Sequence, residues 1–172
     1  MVLNGVHLLP DASGALVWPR RRLLVLADPV QEADGRAAPQ AAAEAVRRLA
    51  ALARTRRPRQ IVWLGRPLTA WHDALPARER HELRRLLAEH EFVWVEDQRA
   101  DGPLTFRVAA GAGAATPGEV IARPHPLARC DGGGPYPAFV IDGRRLALPA
   151  VGPRAVGAEA TCPAFLSLFR RP

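Results

Sequence analysis

The stretch Leu23-Leu24-Val25-Leu26-Ala27, followed directly by Asp28, decides the fold of this chain. Five apolar residues in a row predict a strand that is covered on both faces, as the strands of parallel sheets are. A helix predicted over residues 41–54 and a second apolar strand over residues 60–64 come next. This order favours parallel strands with right-handed crossovers, in which ligands bind beyond the carboxyl ends of the strands.

The chain continues with one more helix and strand and then becomes rich in β-structure. Pro76 opens a helix that runs to about residue 90, and an apolar strand covers residues 92–95, so a βαβαβ unit spans residues 23–95. In the C-terminal half, Asp142-Gly143 is a strong hairpin signal. Further predicted elements are a hairpin around residues 11–14, strands over 104–108, 119–122, 138–141 and 145–148, loops over 111–118 and 131–137, and a short helix over 163–168.

Length and composition indicate one domain with a buried core. The chain has 172 residues, of which 48% are hydrophobic, and we expect a single domain over residues 1–172. No apolar run reaches the roughly 20 residues that span a bilayer, and no signal-peptide pattern is seen, so a cytoplasmic location without membrane contact is expected. Cys130 and Cys162 lack a CxxC spacing and are expected to be free thiols.

The basic charge of the chain has two interpretations. The formal net charge is +7, and all 24 basic residues are arginine. A GC-rich genome favours arginine codons over lysine codons and would produce this composition without selection. Selection for phosphate binding would produce it too, because the planar guanidinium group pairs bidentately with phosphate oxygens.

Two further segments, together with the order of elements, resemble a known family. Val17-Trp18-Pro19 ends the N-terminal hairpin, and the stretch GRRLALPAVG occupies residues 143–152. Over nearly its whole length the chain resembles the calcineurin-like metallophosphoesterases, most closely their bacterial DNA-ligase-associated branch. The resemblance implies an α/β fold, a four-layer αββα sandwich with an N-terminal βαβαβ half and a β-rich C-terminal half. It also implies a metal site at the strand ends, and partners in DNA repair: a ligase, a helicase, a nuclease and nucleic acid.

The segments that hold the metals in this family are altered here. The resemblance aligns Asp28-Pro29-Val30 with Asp-x-His, so that the aspartate is kept and the histidine is valine. Gly65-Arg66 aligns with Gly-Asp, whose carboxylate bridges both metals in the family. In the final motif, Gly-His-x-His-Pro, Arg123 replaces the first histidine and His125 retains the second. Asp28 and His125 are therefore the two ligands that the comparison leaves in place.

A third family motif, Gly-Asn-His-Asp, aligns with residues 97–100, and Asp101 lies one residue further on. Gln98 keeps an amide on a longer side chain. Arg99 takes the place of the histidine that protonates the leaving group, and arginine cannot do so near neutral pH because its pKa exceeds 12. A further family histidine falls near Val108, and His72-Asp73 resembles the pair that trails the second motif and could supply substitute ligands.

These differences predict that the metal pair is lost. The family chemistry requires two divalent ions (Mn, Zn or Fe) about 3.5–4 Å apart, and two secure ligands cannot hold both. Asp28 and His125 could still hold one metal; alternatively, Asp28 caps a loop and His125 is an ordinary hydrogen-bonded histidine. The three arginines could bind phosphate or a nucleic-acid backbone, or could pair with aspartates at residues 28, 97 or 101. They are Arg66, Arg99 and Arg123.

Three functional hypotheses follow from the sequence. The first is a catalytically degenerate metallophosphoesterase that needs no cofactor and acts as a binding or scaffold component in DNA repair. The second is an active, metal-dependent phosphodiesterase or endonuclease with an irregular site. The third is a metal-free protein that binds nucleic acid through its arginines, and it is compatible with the first. The irregular site of the second hypothesis would consist of Asp28, His72, Asp73, Gln98, Asp101 and His125.

Overall fold

The computed structural model describes residues 1–29, 38–111, 115–130, 133–152 and 157–169. The strands are β1 (Val2–Leu3), β2 (Val6–His7), β3 (Leu9–Pro10), β4 (Leu16–Trp18), β5 (Leu23–Ala27), β6 (Gln60–Leu64), β7 (Glu91–Val95), β8 (Gln98–Asp101), β9 (Leu104–Ala109), β10 (Glu119–Arg123), β11 (Pro126–Arg129), β12 (Pro135–Pro137), β13 (Val140–Ile141), β14 (Arg145–Ala147) and β15 (Ala158–Glu159). The α-helices are α1 (Ala38–Arg56), α2 (Ala77–Glu89) and α3 (Pro163–Leu166), and 3-10 helices cover Pro19–Arg21 and Leu68–Ala74.

The first large sheet contains the predicted βαβαβ unit. Its strand order is β3-β4-β5-β6-β7, and β5, β6 and β7 are parallel. Every residue of β5 is buried, because alternate side chains face two different layers. Leu24 and Leu26 pack with Trp63 beneath α1 and α2, while Val25 faces the second large sheet. The apolar run at residues 23–27 is thus a strand covered on both faces, as the sequence predicts.

The second large sheet lies against the first and is covered on its outer face by the C-terminal segment. Its order is β13-β14-β10-β9-β8, with β9, β10 and β14 parallel. Phe106 and Leu146 fill the space between the sheets together with Val25. On the outer face, Ile121 packs against Phe165 of α3. The layers are therefore helices, sheet, sheet and helix, with the fourth layer reduced to the short helix α3 and the residues around it.

The structure corrects two predicted loops. Residues 98–101 form β8, which pairs with β9 in antiparallel fashion, instead of a loop at the end of β7. The reason is a two-residue hairpin loop, Gly102-Pro103, in which Gly102 takes the positive φ of +58° that such a turn requires at its first position. Part of the predicted loop 131–137 is strand β12, paired with β11. Cys130 and Cys162 are free, and no helix of the described residues is long and apolar enough to cross a membrane.

Candidate functional site

Strand ends from both large sheets meet at one edge of the molecule. Asp28 follows β5, Gly65-Arg66 follows β6, and Arg123 ends β10. A nitrogen of Arg123, Nη2, lies 3.9 Å from Asp28 Oδ2, which joins the second sheet to the first at this point. We call these residues, together with His125, the carboxyl edge.

Asp28 is the covered anion of the carboxyl edge. It is only 2% exposed, and its backbone N–H donates to the carbonyl of Leu64 at 2.8 Å. Its carboxylate oxygen Oδ2 accepts a hydrogen bond from the backbone N–H of Arg66 at 3.1 Å and also faces the Arg123 guanidinium. A buried carboxylate requires such partners, because an isolated buried charge is strongly unfavourable. Of the two sequence-based interpretations of Arg123, pairing with an aspartate is thus observed.

Gly65 is required by the close approach of Asp28. Its φ is +113°, and a Cβ placed on it would lie 2.6 Å from Asp28 Cβ. We expect Gly65→Ala to lower the free energy of unfolding by about 2 kcal/mol, because both the backbone conformation and the clash oppose a side chain. Gly134→Ala is the matched control, since no atom lies within 4 Å of its added Cβ. Equal stability of the two variants in urea denaturation would contradict this account.

His125 is buried beside Asp28 and is neutral. It is 2% exposed, and its Nδ1 lies 3.3 Å from the carbonyl oxygen of Leu148. The pKa of His125 is lowered to about 4, chiefly by burial and also by the positive charge of Arg123, while the backbone carbonyls of Leu148 and Asp28 oppose the shift. Its Nε2 has no hydrogen-bond partner among the described residues. The imidazole therefore carries no charge at neutral pH.

Arg66 is held by an aromatic side chain that sequence reasoning did not identify. Its guanidinium carbon lies 4.4 Å from the ring centroid of Trp71, a cation–π contact, and the side chain is exposed. The carbonyl of Arg66 accepts a hydrogen bond from Trp63 Nε1 at 3.0 Å. Both ends of the residue are thus restrained. Spacing gives only a weak signal for this contact, because Trp71 lies five residues after Arg66, within the 3-10 helix Leu68–Ala74.

Two residues predicted for the same edge lie elsewhere, because residues 98–101 form a strand. Asp101 pairs with Leu104 at the start of β9 and forms an ion pair with Arg21 at 2.8 Å, at the opposite edge of the sheets. Arg99 lies opposite Phe106, three residues before Ala109, which pairs with Arg123. Arg99 is therefore about 10 Å along the sheet from the end of β10 and also two strands away from it.

The other predicted site residues lie on β8, β9 and the 3-10 helix Leu68–Ala74, or outside the described residues. Gln98 begins β8 and is exposed. His72 and Asp73 bind each other at 2.9 Å in the 3-10 helix Leu68–Ala74, with side-chain exposures of 41% and 101%. Val108 is half-buried in β9, and Val30 lies outside the described residues. Of the nine candidates, the structure assembles Asp28, Arg66, Arg123 and His125.

The described part of the carboxyl edge does not fit a pair of divalent metals. Asp28 supplies one carboxylate and His125 one neutral imidazole nitrogen without a partner, and both are suitable ligand types. No group of three or more His, Cys, Asp or Glu side chains in the described residues could surround an ion. The guanidinium of Arg123 faces the carboxylate that would bind the metals. Two ligands and an adjacent cation are insufficient for two-metal chemistry.

Comparison with solved structures identifies the fold. The chain matches the crystal structure of Pseudomonas putida nuclease MPE with a TM-score of 0.65, at 22% sequence identity, over 92% of this chain and 88% of that one. The two proteins share a fold. The metallophosphoesterase-like α/β sandwich predicted from the sequence is confirmed. No family model and no curated protein matches this sequence.

Proposed function

We propose that this chain is a metallophosphoesterase-like protein that binds a phosphate group of nucleic acid at the carboxyl edge without cleaving it. In this role it serves as a binding or scaffold component in DNA repair, with a ligase, helicase or nuclease as partners. The observation that carries the proposal is the Arg123 guanidinium, 3.9 Å from the buried carboxylate of Asp28. It supports anion binding where the resemblance implies a metal.

The two arginines of the carboxyl edge are suited to an incoming phosphate. The Arg123 side chain is 35% exposed, whereas Asp28 is covered, so a ligand meets the cation first. Arg66 is exposed and its guanidinium group lies over the ring of Trp71. A guanidinium group held in place loses less conformational freedom when it forms bidentate hydrogen bonds with phosphate.

The Arg123 cation opposes a divalent metal at Asp28. At about 4 Å and an effective dielectric constant of about 20, two unit positive charges repel by roughly 4 kcal/mol. A metal ion bound by Asp28 would therefore have to displace Arg123. This supports the first and third hypotheses from the sequence over the second.

The proposal is tested with a ligand too short to reach other surfaces. We expect a 5′-phosphorylated dinucleotide to bind the protein in EDTA, and Arg66→Gln/Arg123→Gln to weaken its binding by about tenfold or more, because hydrogen bonds between charged groups are lost. Arg78→Gln/Arg84→Gln removes the same charge from the exposed surface of α2 and is the control. Equal affinity of the two double variants would refute phosphate binding at the carboxyl edge.

One observation favours the second hypothesis, a metal-dependent phosphodiesterase. His125 Nε2 is neutral and unpartnered among the described residues, next to Asp28, as a metal ligand would be. This hypothesis predicts stoichiometric Mn, Zn or Fe in the purified protein and metal-dependent cleavage of bis(p-nitrophenyl) phosphate. Asp28→Ala and His125→Ala would each abolish that cleavage. Under our proposal the wild-type protein shows no metal-dependent cleavage above buffer.

A further inference from the structure

A second arginine cluster lies at the other end of the parallel strands. Arg20 and Arg21 belong to the 3-10 helix before β5 and Arg22 follows them, while Arg57 and Arg59 precede β6. The backbone joins the two groups, because the N–H of Arg59 donates to the carbonyl of Arg22 at 2.7 Å. A second link is the hydrogen bond from Arg22 Nη2 to the carbonyl of Arg57, at 2.9 Å. We call these five arginines the amino edge.

The positive charge of the amino edge is largely uncompensated. All five arginines are exposed. Arg21 forms an ion pair with Asp101 at 2.8 Å and lies over the ring of Trp18 at 5.2 Å. The other four form no ion pair with the described residues. By contrast, four of the eight arginines of α1 and α2 pair with glutamates, as in Arg85 with Glu82, and Arg56 pairs with Asp11. Among the described residues, the amino edge thus holds four exposed arginines without a carboxylate partner on two neighbouring strand starts.

Two of these arginines occupy a backbone conformation that favours glycine. Arg22 has φ +49° and Arg57 has φ +46°, both in the left-handed region. A residue with a side chain costs roughly 1–2 kcal/mol there, and helices commonly end on glycine at the position Arg57 occupies after α1. A general bias toward arginine codons does not account for this, because glycine codons are equally GC-rich. Side chains kept in a strained conformation often serve a function.

We propose that the amino edge binds the phosphodiester backbone of nucleic acid, as a surface separate from the carboxyl edge. The starts of β5 and β6 place arginines on neighbouring strands about 4.8 Å apart, so that several guanidinium groups can contact successive phosphates of one strand. In naming nucleic acid as the ligand, the inference rests on the proposed function. An anionic membrane could be attracted by the same charge and is therefore an arm of the test.

The two surfaces act on different parts of one polymer. The five residues of β5 separate them by about 16 Å, which a dinucleotide cannot span. Contacts at the amino edge would hold a long strand non-specifically, through charge alone, while the carboxyl edge contacts a single phosphate group. The amino edge therefore adds affinity only for long ligands.

The test compares two triple variants with equal loss of charge. Arg20→Gln/Arg57→Gly/Arg59→Gln alters the amino edge, and Arg78→Gln/Arg80→Gln/Arg84→Gln alters α2. Binding of a fluorescent DNA duplex of about 20 base pairs is measured in EDTA against salt concentration. We expect the amino-edge variant to bind about tenfold or more weakly at 50 mM salt, with a salt slope smaller by roughly two to three, because counterion release falls. The α2 variant should stay close to wild type.

The outcomes separate this inference from the proposed function and from misfolding. Arg57→Gly alone should weaken duplex binding without lowering Tm, because glycine suits φ +46°. If the amino-edge variant still binds the dinucleotide, its carboxyl edge is intact. If the Arg66→Gln/Arg123→Gln variant loses dinucleotide binding, the loss concerns the carboxyl edge alone. Equal losses of duplex binding in both triple variants, or binding to phosphatidylserine vesicles but not to DNA, would overturn the inference.

Discussion

Replacing Arg145 with methionine is expected to lower the free energy of unfolding by about 3–5 kcal/mol, because it leaves a buried carboxylate without its main partner. Glu119 and Arg145 lie opposite each other on β10 and β14, with side-chain exposures of 2% and 1%. Arg145 Nη2 and Nε bind Glu119 Oε2 at 2.6 and 2.8 Å, and Arg145 Nη1 donates to the carbonyl of Leu168. The pair therefore also anchors the C-terminal segment to the sheet.

The pH dependence of this variant identifies the cause. Burial raises the pKa of Glu119, but hydrogen bonds from Arg145, Thr116 and Arg107 outweigh burial and lower the pKa below its ordinary value. In Arg145→Met the buried carboxylate of Glu119 can lose its charge by taking up a proton. The difference in free energy of unfolding between this variant and wild type should therefore shrink as the pH falls. Arg107 still lies 3.3 Å from Glu119 in this variant, so we expect the loss of unfolding free energy to fall near the lower end of the stated range.

A matched control uses an exposed pair of the same chemistry. Arg129 binds Glu159 with side-chain exposures of 62% and 42%, and Arg129→Met should cost less than about 1 kcal/mol. Urea denaturation at neutral pH measures both variants. If Arg145→Met and Arg129→Met were equally stable, the buried pair would not contribute as the structure indicates.

Acidification should destabilise the protein through His125 before it affects the carboxylates. Burial holds the pKa of His125 at about 4, below the ordinary value of 6.5, so the unfolded state binds a proton first as the pH falls. The stabilisation is therefore fully present above about pH 6.5 and is lost between about pH 6.5 and pH 4. The expected loss is about 2 kcal/mol between about pH 7 and pH 5, and about 3 kcal/mol over the whole window.

A variant without a titrating ring isolates this effect. His125→Gln lowers stability at neutral pH through lost packing, yet its free energy of unfolding should change less between about pH 7 and pH 5 than that of wild type. The carboxylates with lowered pKa values, such as Glu119, contribute mainly below this window. Parallel pH profiles of the two proteins, measured by urea denaturation, would show that His125 is not buried in neutral form.

Local patterns in the sequence are sufficient for the first half of the fold. The strands at residues 23–27 and 60–64 are observed with the predicted bounds. A continuous apolar run buries all of its side chains only in a strand that is covered on both faces, as in a parallel sheet. Helix α2 begins at Ala77, one residue after the predicted start at Pro76, and ends at Glu89, close to the predicted end near residue 90. The placement of Asp28 and Arg66 at one edge also follows from sequence, since the parallel strands β5 and β6 end at the same side, whereas Arg123 was placed there only by the family resemblance.

The tertiary structure decided which of the predicted residues form the carboxyl edge. Strand β8 withdrew Arg99 and Asp101 from the carboxyl edge, because antiparallel pairing with β9 outweighed the loop character of a charged segment. The stacking of Arg66 on Trp71 and the burial of His125 depend on how loops pack, which apolar periodicity does not encode. The pairing of Glu119 with Arg145 joins residues 26 positions apart on neighbouring strands.

The sequence by itself determined the βαβαβ unit and the arginine content, since burial pattern and composition are local properties of the chain; the layered sandwich was implied by the family resemblance. Only the tertiary structure decided where the charge acts. It set Arg123 against Asp28 at the carboxyl edge and gathered Arg20, Arg21, Arg22, Arg57 and Arg59 at the amino edge. The physical reason is that the field around a phosphate ligand depends on distances between charges, and folding alone brings residues distant in sequence within a few ångströms.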